Sequence, residues 1–275
     1  MRIHRRGSTA AALALCLGAL TACGGGSTPQ GQGSSVPPPT SESTTPSGAQ
    51  KPAEGAALRG RTIVIDPGHN GANGEHPSEI NKQVKIGNGS KACDTTGTAT
   101  NAGYNEHAFT WDVSNRLAKL LKAKGAKVYL TRKNDTSVGP CITERAGLGN
   151  RVKADAALSV HADGAPASAH GFHIIEPIAV KGFNAEMVPD AHRLGVALRD
   201  AYRAGTGIPY SNYRGKKALD PRDDLGGLNL SKVPKVFIEC GNMRNPSEAA
   251  KMSNASFRQR IADSLASGFD AYFAS

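Results

Sequence analysis

Two histidines and two glutamates stand where strand-like runs end or a helix-like run begins. His69 follows "TIVIDPG", His161 follows the apolar run in "AALSV", and Glu239 closes "KVFIE". Glu106 opens the amphipathic stretch "EHAFTWDV". In open α/β sheets the carboxyl ends of parallel strands share one edge, where ligands and catalytic groups collect. We therefore expect these four side chains to meet at that edge.

The donor types at these positions indicate hydrolysis assisted by a metal ion. Two imidazoles and a carboxylate, from His69, His161 and Glu106, leave one tetrahedral position of a single Zn²⁺ open for water, as in catalytic zinc sites. Zinc lowers the pKa of such a water to about 7 and polarises a carbonyl. Glu239 is then suited to carry the proton. The set predicts amide or ester hydrolysis, although these ligand types also accept other divalent ions.

The orientation of Glu106 follows from the helix predicted over residues 105–124. Glu106 precedes Phe109 and Val113 by three and seven residues, so it points with them towards the sheet. A glutamate in a first helical turn is otherwise often solvated and favoured by the helix dipole. His107 is rotated by about 100° from this face, which makes it the weaker candidate.

Strand-like and helix-like segments alternate along the rest of the chain. The strand-like segments are "TIVID", "AKVYLT", "AALSV", "GFHII" and "KVFIE", and helices are predicted over residues 105–124, 142–152, 189–204 and 256–273. This order predicts one α/β domain of three layers, with a mostly parallel twisted sheet, helices on both faces and the zinc site at the carboxyl edge.

The first 22 residues are typical of a lipoprotein signal peptide. Arginines at positions 2, 5 and 6 precede an apolar stretch, residues 10–20, that is too short for a stable transmembrane anchor. The sequence "LTAC" resembles a bacterial lipobox and predicts lipidation of Cys23. The lipid would attach an exported protein to the outer face of the cytoplasmic membrane, within the cell wall. An ordinary signal peptide cut nearby is the alternative.

Residues 23–57 are predicted to be a disordered tether behind the lipidated cysteine. They are rich in Gly, Ser, Thr and Pro and hold almost no large apolar side chain. Residues 58–275 have the length of one domain with a sizeable core.

The net charge of the chain and its distribution indicate which class of partner the chain binds. Without the signal peptide the chain has 30 Lys and Arg against 23 Asp and Glu, a net charge of +7. The basic residues are dispersed and aromatic residues are few, so no nucleic-acid groove is indicated. Attraction to an acidic cell envelope is the interpretation that fits an exported protein.

Cysteine placement predicts one disulfide bond. Cys93 and Cys141 both lie in loop-like segments that contain Gly, Thr or Pro, whereas Cys240 directly follows an apolar strand. In an oxidising compartment we expect Cys93 to pair with Cys141 and Cys240 to remain a buried thiol. No C-x-x-C spacing supports a thiolate metal site.

Four motifs in order carry a resemblance to a known family. "IDPGHNG", "YNEHAFTWDV", "SVHADG" and "FIECGNMRNP" resemble the successive motifs of zinc-dependent N-acetylmuramoyl-L-alanine amidases of the Amidase_3 type. The likeness runs from Arg61 to the C-terminus. It is greatest to the small mycobacterial and actinobacterial peptidoglycan amidases, because "TATNAGYNEH" and "DPRDDLGGLNL" also occur in the expected order.

The resemblance implies an activity and roles for the four residues. His69, Glu106 and His161 become zinc ligands, and Glu239 becomes the catalytic acid and base. The family cleaves the amide between the lactyl group of N-acetylmuramic acid and the L-alanine of the stem peptide. We therefore expect a monomer that acts on peptidoglycan or muramyl peptides during cell-wall remodelling.

The chain departs from the family pattern next to two of these residues. Asp163 stands where many relatives have Asn, and Cys240 with Gly241 replaces Leu-Gly. The first change puts a charge near the metal, so Asp163 is a candidate for substrate binding. The second keeps a small apolar group in place.

Two long segments are candidates for lining the cleft. Residues 70–104 form a segment that is longer than unstructured loops usually are in a compact domain. Strand-like flanks around its Gly-Asn-Gly predict a hairpin, which we expect to shape or cover the cleft. The polar segment 207–230 is expected to line the substrate groove. In it, Asn229 and Arg222 are substrate-binding candidates, with Arg222 near stem-peptide carboxylates; a solvated surface loop is the alternative.

Two other functions fit parts of the pattern. A zinc peptidase that cuts within the stem peptide would use the same metal site on another bond. A non-catalytic wall-binding lipoprotein would need no intact site, and the presence of all four chemical residues argues against it.

Overall fold

Strands and helices alternate along residues 56–275, the part of the chain that the computed structural model describes. The strands are β1 (Thr62–Pro67), β2 (Gln83–Lys85), β3 (Ser90–Ala92), β4 (Lys127–Leu130), β5 (Ala156–Asp163), β6 (His173–Pro177), β7 (Leu219–Arg222) and β8 (Lys235–Asn242). The helices are α1 (Pro77–Ile80), α2 (Glu106–Ala123), α3 (Ile142–Val152), α4 (Val188–Thr206), α5 (Gly226–Asn229), α6 (Pro246–Ser253) and α7 (Ala255–Ala274). The predicted signal peptide, Cys23 and the tether up to residue 55 lie outside the described residues.

The main sheet has the order β4-β1-β5-β8-β6-β7. Strands β4, β1, β5 and β8 are mutually parallel, whereas β6 runs antiparallel to β8 and parallel to β7. The predicted mostly parallel sheet is therefore confirmed. Because β6 is reversed, its first residue, His173, lies at the edge where β5 and β8 end.

The two faces of the sheet differ in polarity because side chains alternate along each strand. Apolar residues such as Ile63, Leu158 and Ile238 join the large core cluster, which packs beneath α2, α4 and α7. The intervening positions face α3 and α5, where a smaller apolar cluster includes Val64 and Ala157. Helices thus cover both faces, as predicted, and the polar strand residues lie on the α3 side.

A buried carboxylate anchors this polar face. Asp66 is 3% exposed and accepts hydrogen bonds from Ser159 Oγ (2.6 Å) and Thr131 Oγ1 (2.6 Å). Lys235 Nζ and one Arg145 nitrogen each lie 3.0 Å from its oxygens. Burial raises the pKa of Asp66, but these two cations and the two hydroxyls outweigh burial and hold the pKa well below its usual range. The carboxylate is therefore ionised in the folded protein.

The predicted helices agree with the structure to within two residues at each end, whereas the four-residue helices α1 and α5, strand β7 and helix α6 were not predicted. Strand β7, "LDPR", is short and contains Pro221, which a strand tolerates at a sheet edge such as this one. Helix α6 follows Asn245, whose side chain accepts hydrogen bonds from the backbone of Ser247 and Glu248. Its "NPSE" start is an ordinary helix-capping signal.

The long segment before α2 is ordered by a hairpin and a disulfide bond. Strands β2 and β3 pair antiparallel around Gly-Asn-Gly, as predicted. The predicted bond between Cys93 and Cys141 is present, and it attaches this segment to the start of α3. Cys240 is buried and unpaired among the described cysteines, also as predicted.

Within residues 56–275, no helix is both long enough and apolar enough to cross a bilayer.

The buried ion network predicts a specific loss of stability. Asp66→Asn would leave Lys235 without its counter-charge and Arg145 with only Asp94, and we expect a loss of about 3–5 kcal/mol in the free energy of unfolding at pH 7. Denaturant titration measures this loss. The control is Asp200→Asn, which breaks an exposed ion pair with Arg199 and should cost less than about 1 kcal/mol.

The same substitution should change how the free energy of unfolding depends on pH in the acidic range. Since the pKa of Asp66 is lower in the folded than in the unfolded state, its contribution is complete above about pH 4 and is lost as pH falls through the folded pKa. Asp66→Asn should therefore flatten this part of the curve. An unchanged pH dependence together with wild-type stability would contradict the role given to Asp66.

Candidate active site

The three predicted ligands lie together towards the carboxyl ends of the parallel strands. His69 lies in the turn after β1, Glu106 is the first residue of α2, and His161 lies within β5. Glu106 Oε1 is 3.1 Å from His69 Nε2 and 3.0 Å from His161 Nδ1. One donor atom from each residue lies within 4.8 Å of the others. Together these donors can hold a metal ion.

The surroundings of the donors fit a zinc ion. The carbonyl of Thr95 accepts a hydrogen bond from His69 Nδ1 (3.0 Å), which leaves the lone pair of Nε2 directed towards Glu106. Burial raises the pKa of Glu106, but the two imidazoles outweigh burial and lower its pKa. An ionised carboxylate with two imidazoles is the donor set of many catalytic zinc sites.

The backbone of His69 is held in a strained conformation. Its φ is 59°, in the left-handed region that residues other than glycine rarely adopt. The guanidinium of Arg145 donates to the carbonyls of Pro67 (2.7 Å) and His69 (3.0 Å) and to the carboxylate of Asp94 (2.9 Å). Such strain persists where the surroundings over-determine it. Helix α3 therefore supports His69, the first of the three candidate metal ligands.

Two glycines allow the backbone to approach the ligands. A Cβ at Gly68 would overlap the ring of His161, so no larger residue fits there. Gly97 has a φ of 79°, and a Cβ there would lie 2.8 Å from both Glu106 Oε2 and His69 Cδ2. The donor cluster depends on this close backbone packing.

Glu239 lies beside the donor cluster, opposite His161 in the pairing of β5 with β8. The residue is partly exposed, but its Oε2 is buried without a hydrogen-bond partner in the described part of the chain. Burial, followed by the charges of Glu106 and Asp163, raises the pKa of Glu239 well above its usual value, and Arg222 opposes this rise. The carboxyl group is thus able to hold a proton for donation.

The substrate-binding candidates occupy different surroundings. Asp163 ends β5 close enough to Glu239 to affect its pKa. Arg222 binds Asp224 through two nitrogens (2.7 and 2.8 Å), and Lys91 of the hairpin binds the same carboxylate (3.0 Å). Asn229 is buried and donates to Asn88 Oδ1 (3.0 Å) and to the carbonyl of Asp223 (2.6 Å). It ties the hairpin tip to the segment after β7, and its substrate-binding role stays a prediction.

A cavity of about 220 Å³ opens beside the donor cluster. Its lining includes His69, His161, Phe237, Lys91, Ala92 and Ile142. Phe237 stacks on His161 with ring centroids 5.3 Å apart. Two lining residues, Lys91 and Ala92, belong to the hairpin, so the hairpin helps to shape the space next to the ligands.

The other histidines lie in several different surroundings. His107 pairs with Asp135 (2.8 Å) away from the donors, in line with its lower rank. His76, His170 and His192 are exposed. His173 is buried directly opposite Glu239, a placement that the sequence did not predict. The missed signal is a polar residue at the start of an apolar strand, which reaches this edge only because β6 is antiparallel.

A carboxyl group of raised proton affinity beside three potential metal ligands suits the hydrolysis of an amide, and the protein is of the hydrolase class. Residues 63–271 match the Amidase_3 model, described as N-acetylmuramoyl-L-alanine amidase. The chain belongs to this family, and the resemblance seen in its motifs is confirmed.

Individual relatives agree with the family match. The chain is 41% identical over 231 residues to the N-acetylmuramoyl-L-alanine amidase Rv3717 of Mycobacterium tuberculosis, covering 84% of this chain and 93% of that one. The crystal structure of the amidase Ami1 from Mycobacterium smegmatis matches with a TM-score of 0.74 and 40% identity, over 78% of this chain and 98% of that one. Ami1 from Mycobacterium abscessus gives 0.71 and 41%, over 78% and 99%.

The support of His69 by Arg145 predicts an effect on metal affinity. Arg145→Lys cannot reproduce the hydrogen bonds of the guanidinium to three carbonyls and two carboxylates, so the strained turn should relax. We expect zinc affinity to fall about 10–100-fold, as for other groups that orient metal ligands. Competition with a chromogenic chelator measures it. Arg151→Lys, on the exposed side of the same helix, should bind zinc like the wild type; equal affinity of both variants would refute the role of Arg145.

Proposed function

We propose that this protein hydrolyses the amide between N-acetylmuramic acid and L-alanine in peptidoglycan, with one Zn²⁺ held by His69, Glu106 and His161. The observation that carries the proposal is the position of Glu239, a carboxyl group of raised pKa that is the strand-pairing partner of His161 beside the three converging donors. Family membership supports the choice of bond.

The proposed reaction assigns one role to the bound zinc and another to Glu239. Bound zinc supplies Lewis-acid polarisation of the amide carbonyl and acidifies water. Glu239 takes the proton of the attacking water and delivers it to the leaving amine of L-alanine. Its burial and its carboxylate neighbours raise its affinity for a proton, so the carboxyl group retains that proton until the amine departs.

The cleft around these groups is suited to an extended polar substrate. The hairpin supplies Lys91 to the lining of the cavity, and Arg222 is close enough to Glu239 to affect its pKa. Both cations share Asp224, so one positive charge of this group is left over for substrate carboxylates. Arg222, Asn229 and Asp163 are the residues we propose for binding the stem peptide.

The cellular location is also part of the proposal. Residues 1–22 would direct export, Cys23 would carry the lipid, and residues 23–57 would let the catalytic domain of residues 58–275 reach the wall from the membrane. The net charge of +7 would favour contact with an acidic envelope. A monomer suffices, because one chain contributes all four chemical residues.

Mass spectrometry of a muramyl-peptide digest tests the proposed reaction. The zinc-loaded wild-type chain should release stem peptide that begins with L-alanine, together with peptide-free muramyl sugar. Glu239→Gln should keep its zinc and lose about 10²–10⁴-fold in kcat, because no other group carries the proton. The matched control, Glu186→Gln, changes an exposed glutamate and should leave the rate unchanged.

Other products would point to the other functions. A shortened stem that is still attached to muramic acid would identify a zinc peptidase. Unchanged muramyl peptide, with a Glu239→Gln chain that keeps the full biological effect, would identify a wall-binding protein. Removal of zinc by a chelator should abolish the amidase products, and added Zn²⁺ should restore them.

A further inference from the structure

Three polar side chains stand in a row across three neighbouring strands. His161 on β5 is the pairing partner of Glu239 on β8, and Glu239 is in turn the pairing partner of His173 on β6. Paired residues point to the same face of a sheet, with Cβ atoms about 4.5–5.5 Å apart in antiparallel pairs. His173 therefore flanks Glu239 on the side away from the metal ligands.

Two polar atoms on the facing residues lack partners. His173 is 1% exposed, and its Nδ1 has no hydrogen-bond partner among residues 56–275. Glu239 Oε2 is likewise buried and unpaired in this part of the chain. Burial of a polar atom without a hydrogen-bond partner is unfavourable. Two of them on directly opposed residues call for a shared explanation.

The surroundings keep the imidazole of His173 neutral. Burial lowers the pKa of His173 to about 4, although the carboxylates of Asp163 and Asp220 oppose this, and Arg214 and Arg222 reinforce it. The ring of Tyr213 packs edge-on against it, with centroids 5.9 Å apart. A neutral imidazole has one N–H donor and one acceptor nitrogen. It is thus able to pair with a carboxylate or with a protonated carboxyl group.

A glutamate that carries a proton needs its carboxyl group held in one orientation. The terminal torsion of glutamate is broad, so packing of the aliphatic part does not fix it. Neighbouring carboxylates of Glu106 and Asp163 repel the ionised form. A neutral hydrogen-bonding group opposite Oε2 would fix the orientation and leave Oε1 to face the scissile amide.

We propose that His173 is a positioning residue for Glu239: its Nδ1 is bridged to Oε2 by one water, and this bridge orients the carboxyl group for proton transfer. The inference rests on the role of Glu239 in the proposed function. His173 lies outside the group of donors that can share a metal ion within the described chain, so it acts on the acid/base residue and not as a zinc ligand.

Substitutions that differ in one atom position test this inference on the full, zinc-loaded chain. In His173→Asn the side-chain amide reaches the position of Nδ1, in His173→Gln it reaches that of Nε2, and His173→Leu provides neither. We expect kcat on a muramyl peptide to fall 10–100-fold in the Leu and Gln variants and less than fivefold in the Asn variant. KM should stay within twofold and the zinc content should stay at one ion. The control is His170→Leu, an exposed histidine three residues earlier, which should match the wild type.

The outcomes separate positioning from other roles. A raised KM with an unchanged kcat would make His173 a substrate contact and overturn the proposal, as would wild-type kcat in the Leu variant or equal losses in the Asn and Gln variants. If the Leu variant does not fold, the Asn and Gln pair decides alone. A wild-type chain that leaves the muramyl–L-alanine bond intact would refute the proposed function itself, whereas an active wild type with unaffected variants refutes only the role of His173.

Discussion

The rest of the structure depends on the ion pairs that the buried, ionised carboxylate of Asp66 forms with two cations. A charge buried beneath α3 is tolerable only with counter-charges, and Lys235 and Arg145 provide them. Arg145 then uses its remaining N–H groups on the carbonyls of Pro67 and His69 and on Asp94. The contacts that make a charged sheet face stable are thus the contacts that fix the first metal ligand in a strained turn.

Because side chains alternate along the strands, one face of the sheet forms the core and the other carries the polar groups of the candidate site. The face beneath α2, α4 and α7 is apolar and contributes most of the buried core. The opposite face presents Asp66, His161, Phe237, Glu239 and His173 beneath α3, α5 and the hairpin. Because both sets of residues lie on the same strands, the core holds the reactive groups in register without a separate scaffold.

Much of the architecture was readable from local pattern. The helix α2 was predicted from its apolar stripe and the glycine after its last turn, and α3, α4 and α7 were predicted nearly to their ends. The pairing of Cys93 with Cys141 followed from loop context and compartment. Strand β7 and helix α6 were missed, because one is a four-residue edge strand with a proline and the other has a mostly polar sequence. Neither has the long apolar period on which such predictions rest.

The sequence alone determined the candidate residues: His69, Glu106, His161 and Glu239 were selected from residue type and from their positions beside strands and a helix. Only the tertiary structure decided what supports them. The reversal of β6 brings His173 opposite Glu239, and the packing of α3 brings Arg145 under His69. Asp94 and Thr95 reach His69 through a segment folded back from the hairpin. These contacts join residues far apart in the chain, and strand direction and helix packing, which set them, leave no periodic signal in the sequence.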